Sequence, residues 1–359
     1  MLMKEKNFMF KGLAVAFTLL FATFTTAQAE YRLIVPSGPG SGGATWASVV
    51  AEQLTKFTDE PIVLQHVPGA RNIPGLNMFH NKFRFDDKTI VVSFGSHSVN
   101  YLLENVDYKF SDYTAIGMMN LDLIVGHHKD HDPIKEVSSF AGTNAMNDAL
   151  AVGIMICGPQ PSVDAHIACW KKKMKWVNGV KGSGILPMYL RGELNVTRDP
   201  PPSWLRHYAK EPNTRLWFTH GIMDLETGKQ IPNPNYPDKL FEDVYEKTWG
   251  VAPSGDLWEA YHLARTFNNV LQKVLWVNKG NPNAEKLTNA LRAMLADEDA
   301  VAAIVANAGN YEWIVGDKAN EIRDELNLMI KKDNYSTLVK WYREAYGTKS
   351  KFKPEIVND

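Results

Sequence analysis

"VPSGPGSGGATWASVVAEQL" occupies residues Val35 to Leu54, and the fold is decided by how it is read. The residues leading into it, Tyr31 to Val35 (YRLIV), are short, β-branched and apolar, as a buried strand requires. Beyond the glycines, Trp46, Val50, Leu54 and Phe57 recur on one stripe with Ala47 and Ala51 beside them, the spacing of a helix with one buried face. A strand therefore feeds a helix through glycines. That connection aims free backbone N–H groups and the positive end of a helix dipole at one spot, where an anion such as a carboxylate or phosphate is the natural guest. Two readings stay open: an anion cradle, or a connection that only lets the chain turn tightly. Nucleotide motifs fit less well. No Lys-Ser/Thr pair follows the glycines, which disfavours a P-loop, and Gly38, Gly40 and Gly43 meet only the loosest dinucleotide fingerprint.

The start of the chain bounds its compartment. Lys4, Lys6 and Lys11 precede the apolar run LAVAFTLLFATF and the small-residue site Ala27 to Ala29, which together predict a signal peptide over residues 1–29, cleaved near Ala29, and a soluble secreted protein. No later stretch is apolar enough to be read as a membrane span. About 330 residues would remain, more than one hydrophobic core usually organises, so two domains are expected. The formal charge is −1, and the leader carries three lysines against Glu5, leaving the rest near −3. Such a balance argues against a nucleic-acid partner. Two cysteines, Cys157 and Cys169, exclude a disulfide framework and leave open one bridge or two buried thiols.

Along the chain, "PIVLQ" (Pro61 to Gln65), a helix from about Pro74 and "TIVVSF" (Thr89 to Phe94) continue a βαβαβ rhythm. "YTAIGMM" and "LDLIVGH" add two strand candidates, and a polar stretch follows from His127 to Asn147. "ALAVGIMIC" is then expected to open a second strand and helix series, continued by a helix from Ser162 to Lys175, "KWVNGV", a short helix ending at Arg191-Gly192, and "TRLWFTHGI". Residues Asp224 to Asp238, dense in Pro, Asn and Gly, read as a loop, and the remainder as mostly helical around the strand candidate "KVLWV". Asn281-Pro282 predicts a helix start, and Gly309 and Gly347 predict helix ends. Two α/β units with glycine-rich turns at strand ends imply a crevice between them.

These residues carry a family resemblance. Pro36, Pro39, Gly40 and Gly42 align with a first loop of the form P-x-A-P-G-G-x-x-D, and "PGARNIPG", with Pro68, Gly69, Ala70 and Gly75, aligns with P-G-A-G-G-N-x-G. Asp87, "SFGSHS", "NGVKGS", "LRGELN" and the helical segment from Asn281 to Gly309 follow in matching order. From Tyr31 almost to its end the chain resembles the extracytoplasmic solute receptors of tripartite tricarboxylate transporters, the Bug family. The resemblance implies a type II-like, two-lobed periplasmic-binding-protein fold: two open mixed sheets flanked by helices and hinged by two crossovers. It places lobe one at 31–122 and 222–359 and lobe two at 123–221. It also implies a non-enzymatic, monomeric periplasmic receptor without cofactor, which captures a small carboxylate and delivers it to integral membrane subunits of such a transporter.

The expected half-site of lobe one is Ser37, Gly38, Gly40, Ser41, Gly42 and Gly43, completed by Ser96 and His97. Lobe two is expected to supply Gly158, Gln160, Ser162 and Asp164 at a helix start, and Gly182 and Ser183 on the turn after "KWVNGV". The resemblance implies that main-chain donors and ordered water dominate the carboxylate contact. Departures matter too. Ala44, Gly43 and Ser48 stand where the family has aspartate, threonine and arginine, and the lost carboxylate makes the pocket less hostile to anions. Arg71 and Asn72 replace two glycines, adding either a side-chain contact or surface decoration, and "CGPQPSVDAH" is unusual for its place.

Other groups compete less well. In "HHKDHD" (His127 to Asp132) the metal-competent residues are consecutive, which suits a solvated loop better than a tetrahedral site, so no metal is expected. Its best use is in a rival reading, a secreted metal-dependent hydrolase built on His127 and His131. Cys157, His166 and Cys169 lack an obvious fourth ligand, and Lys171, Lys172, Lys173 and Lys175 suit a solvated helix end or, less well, docking to a membrane partner. Ser96-His97 has no third residue to orient the ring, and no catalytic signature occurs. A third reading keeps the binding fold but presents the ligand to a sensor kinase.

Overall fold

The computed structural model describes residues 30–142, 146–177, 180, 182–227 and 229–358, so the expected leader lies outside the described residues. In chain order the first elements are β1 (Tyr31–Val35), α1 (Gly42–Thr55), β2 (Ile62–His66), α2 (Ile73–Lys82), β3 (Thr89–Phe94), α3 (Gly95–Leu103) and β4 (Tyr113–Met119). Next come β5 (Ile124–His128), β6 (Ser138–Ala141), α4 (Met146–Cys157), α5 (Val163–Lys173), β7 (Met174–Val177), α6 (Gly182–Leu190), β8 (Val196–Asp199), α7 (Pro201–His207) and β9 (Thr214–Thr219). The hairpin of β10 (Ile222–Met223) and β11 (Gln230–Ile231) leads to α8 (Phe241–Trp249), α9 (Asp256–Val270) and β12 (Lys273–Asn278). Last are α10 (Ala284–Ala296), α11 (Glu298–Ala308), β13 (Trp313–Val315), α12 (Asp317–Leu328) and α13 (Lys332–Trp341).

The class is α/β, and the first sheet is mixed, in the order β13-β4-β12-β3-β1-β2. β1 runs parallel to β2 and β3, while β12 returns antiparallel between β3 and β4. β3 is buried along its whole length because it has a strand on each side and helices over it. α1 buries Trp46, Ala47, Val50, Ala51 and Leu54, as its stripe predicts. Since Lys273 lies opposite both Phe94 and Met119, the start of β12 and the ends of β3 and β4 share one edge. The parallel pairing of β1 with β3 brings the loop after Val35 to that same edge.

The second series divides into an antiparallel sheet, β8-β5-β9, and a parallel pair, β6-β7. Ile124 lies opposite Asp199 and Thr219, so the ends of β8 and β9 meet at the start of β5, next to the chain crossings. Those crossings are stitched together. His220 N donates to Leu123 O at 2.9 Å, Asn269 Nδ2 to Gly221 O at 3.1 Å, and Asn120 Nδ2 to Met223 O at 2.6 Å. One apolar core runs from Ile34, Phe79 and Val91 through Phe267 of α9 to Ala149 of α4 and Phe218 of β9, so the sheets are joined by packing as well as by the crossings.

Two expectations fail here. "ALAVGIMIC" is helical: α4 is buried all round, wedged against α9, α5 and α3. A helix enclosed on every side shows no polar stripe, and a short apolar run then looks like a buried strand. The strand of that region is instead β6, inside the stretch read as polar loop. Cys157 and Cys169 form a disulfide that ties the end of α4 to α5. Lys173, expected in solvent, instead donates to Ile134 O at 2.8 Å and Ile156 O at 3.0 Å, closing the last turn of α4.

Candidate functional site

The loop from Pro36 to Gly43 crosses the edge of the first sheet. Ser41 N donates to Gly38 O at 3.3 Å, with Pro39 and Gly40 between them; Gly40 has φ +80°, which calls for glycine. Ser41 then caps α1, its Oγ accepting from Ala44 N at 3.2 Å and donating to Ser37 Oγ at 3.0 Å. His66 Nδ1 meets Ser37 O at 2.9 Å and anchors the loop from below. Gly42 and Gly43, the first two residues of α1, have N–H groups that no described residue accepts, as helix geometry dictates. Gly43 packs on the Phe94 ring, so a Cβ there would stand 2.5 Å from Cζ, whereas a Cβ on Gly42 meets nothing within 4 Å.

Ser96 and His97 enter the first turn of α3 beside this loop. Ser96 is partly exposed, but His97 is fully buried. Its Nδ1 accepts from Phe94 N at 2.9 Å, which leaves Nε2–H to donate to Asn72 O at 3.0 Å. Burial pulls the imidazole down to about 4, against the opposing pull of the Asn72 and Phe94 carbonyls, which favour a protonated ring. His97 is therefore a neutral brace for the 68–75 turn. Arg71 and Asn72, which replace the family's glycines, keep a glycine-like conformation with φ +52° and +62°. Arg71 also forms an ion pair with Glu104, and its carbonyl accepts from Asn100 Nδ2 at 2.8 Å.

On the second series, the first turn of α4 brings Asn147 and Asp148, both buried, to the end of β6. Asp148 lies 3.4 Å from Arg198 Nε and 3.1 Å from His220 Nε2, and Tyr261 Oη meets His220 Nδ1 at 2.8 Å. Burial works against the Asp148 charge, but Arg198 and His220 hold its carboxyl below the ordinary range. Neither amide atom of Asn147 has a hydrogen-bond partner among the described residues. Lys273 opens β12 on the edge of the first sheet, where the charge of Arg198 acts on it. Gly182 opens α6 just beyond the end of β7, and Ser183 is its second residue.

The remaining expected residues are not brought to this edge. Gly158 (φ +62°) packs against Trp249, Gln160 Nε2 donates to Cys157 O at 2.7 Å, and Ser162 caps α5 by accepting from Ala165 N at 3.2 Å. Asp164 is exposed and pairs with Lys340 at 2.7 Å. This group follows the C-terminus of α4, so the helix length, about 18 Å for its 12 residues, separates it from Asn147. His131 is spent between Glu136 Oε2 at 2.9 Å and Ser138 Oγ at 3.0 Å, and His127 Nδ1 contacts His128 O at 2.8 Å. Among the described residues no group of three or more His, Cys, Asp or Glu is placed to hold a metal ion. A recess of about 140 Å³ between Met223, Thr266, Val270 and Leu326 contains none of the expected residues. Asn147, Asp148, Arg198, His220 and Lys273 escape the sequence reading; the signal that could find the first two is "FAGTNAMND", an apolar run entering a helix through glycine.

No family model matches the sequence, and neither does any curated protein. Solved structures are similar to it. The periplasmic binding protein BugD shares 14% identity over 88% of this chain and 97% of its own, with a TM-score of 0.57. A TctC solute binding protein from Polaromonas shares 12% over 87% and 98%, with a TM-score of 0.55. MatC from Rhodopseudomonas palustris, solved with bound malate, shares 13% over 85% and 98%, also with a TM-score of 0.55. The chain has the fold of these solute-binding proteins.

Proposed function

We propose that the chain is a periplasmic receptor that captures a small organic acid between two lobes, 31–122 with 222–359 and 123–221, and hands it to the membrane subunits of a tripartite tricarboxylate-type transporter. The leader over 1–29 would export it. The observation that carries this reading is the pair of unspent N–H groups, Gly42 and Gly43, at the start of α1 on the sheet edge, a donor set for one carboxylate. On this reading Ser96 completes that half-site, and the starts of α4 and α6 supply the facing one. We extend the ligand-binding set to Asn147 and retain Gly182 and Ser183; His97 braces from behind. The contacts among Leu123, His220, Gly221 and Asn269 give the hinge, and ligand bound between the lobes would favour a closed form that a permease distinguishes.

No step of covalent chemistry is assigned. BugD and the TctC protein are described as binding proteins, and the malate bound to MatC makes small carboxylates the first class to test. A thermal-shift screen of the mature protein against mono-, di- and tricarboxylates, aromatic acids and amino acids is expected to raise the melting temperature with one carboxylate class. A response to none of the acids, with hydrolysis of an ester or amide panel that chelator abolishes, would overturn the reading in favour of the hydrolase.

A further inference from the structure

A cation without an acidic partner stands where the two sheet edges meet. Lys273 opens β12, and its register opposite Phe94 and Met119 fixes it on the edge crossed by the 36–43 loop. Its Nζ lies 2.9 Å from Gln272 Oε1, 3.3 Å from Gln272 O, and 5.0 Å from the centroid of the Phe94 ring, the ring on which Gly43 packs. Among the described residues no carboxylate forms an ion pair with it. The charge that acts on it is another cation, Arg198, from β8 of the facing sheet, and burial together with Arg198 pulls the Lys273 ammonium down to about 7. Arg198 cannot be relieved locally. Its carboxylate, Asp148, is shared with His220, while Asp199 accepts from Ser203 Oγ at 2.5 Å and is pushed up by its own burial. An ammonium held in this setting is stabilised by an arriving anion more than by anything already there.

We propose that Lys273, backed by Arg198, is the side-chain counter-ion for a second carboxylate of the bound acid, and hence the residue that makes the protein select dicarboxylates over monocarboxylates. The inference rests on the receptor reading above and adds a specificity residue to it. One carboxylate takes the Gly42 and Gly43 N–H groups; the other reaches Lys273 past Phe94, whose apolar ring suits a hydrocarbon spacer. Main-chain donors alone recognise one carboxylate and ignore what lies at the far end.

The test pairs acids of equal chain length, succinate with butyrate and adipate with hexanoate, by calorimetry on the mature wild type and on Lys273→Met and Lys273→Arg. The wild type is expected to prefer the dicarboxylate of at least one pair. Lys273→Met should lose on the order of 10- to 100-fold in affinity for that dicarboxylate, the size of one charge-assisted contact, with monocarboxylate affinity unchanged. Lys273→Arg should keep the preference. Lys273→Met gives up the Gln272 hydrogen bonds together with a buried charge, so the melting temperature of the empty variant is measured beside its affinity; if it falls well below wild type, Lys273→Gln, which keeps a hydrogen-bond donor, replaces it. An undiminished preference in a folded Met or Gln variant overturns the assignment and leaves the receptor reading intact. A wild type that binds monocarboxylates as well as dicarboxylates does the same. Failure of the wild type to bind any of the four acids, or any other carboxylate of the thermal-shift screen, overturns both.

Discussion

Three of the four glycines of the first loop face different constraints, and their substitution separates a cradle from a turn. In Gly43→Ala the new methyl would stand 2.5 Å from Phe94 Cζ and 2.9 Å from both Cε atoms, and Phe94 is held from behind by the His97 contact to its N–H. Overpacking of this kind costs about 1–3 kcal/mol. Gly40→Ala meets open space but keeps φ +80°, a left-handed penalty of about 1–2 kcal/mol. Gly42→Ala has neither problem. Its backbone is helical and its Cβ finds nothing within 4 Å, so the gain from a stiffer unfolded chain, about 0.4–1 kcal/mol, should show. Urea midpoints of the empty protein should therefore rank Gly42→Ala at or above wild type and the other two below it.

Affinity should follow another order. Gly42→Val adds bulk where an anion would approach the N–H groups of α1, so a carboxylate that raises the wild-type melting temperature should lose about 1–3 kcal/mol of binding, the penalty of a polar contact left unmade. Ser48→Ala, exposed further along α1, should bind like wild type. Calorimetry on the folded variants decides between the readings. Unchanged affinity in Gly42→Val would show that the glycines serve only the turn and would remove the observation on which the proposed function stands.

Three further outcomes are expected. Burial pulls His97 and His166 down to about 4, below the value near 6.5 of an unfolded chain, so the unfolded state binds more protons between those limits; stability is complete above about pH 6.5 and falls towards pH 4, by up to about 3 kcal/mol per ring. His166→Leu should flatten that slope, because both ring nitrogens of His166 lack partners among the described residues, and an unaltered pH dependence of the urea midpoint would contradict this. Replacing Cys157 and Cys169 together by alanine should cost about 3 kcal/mol, the chain-entropy value for a bridge spanning 12 residues, read as a lower urea midpoint equal to that of the reduced wild type. Asp148→Asn leaves Arg198 and His220 facing no charge and should cost about 3–5 kcal/mol, whereas Asp164→Asn breaks a solvent-facing pair with Lys340 and should cost under about 1 kcal/mol with no change in affinity.

The first half of the site was legible because its logic is local. The strand, the type II turn at Pro39-Gly40, the Ser41 cap and the Trp46–Val50–Leu54 stripe all lie within 24 residues and agree with one another. The second half was not, and the error has a single origin. Taken as a strand, 149–157 would deliver its following turn, Gly158 to Asp164, to a ligand-facing sheet edge. Because the segment is the helix α4, the same turn, although it opens α5, lies at the far end of α4 from Asn147, about 18 Å along the helix. Lys273 was hidden for another reason. In sequence it is one lysine between a helix and a strand; it reaches the site only because β12 inserts between β3 and β4, a pairing across more than 150 residues that no local pattern encodes. The residues that a strand–glycine–helix pattern reveals are those that hold what organic acids share, a carboxylate. Those that would distinguish one acid from another come from the non-local pairing, so recognition of the class is readable in the sequence and choice within the class is not.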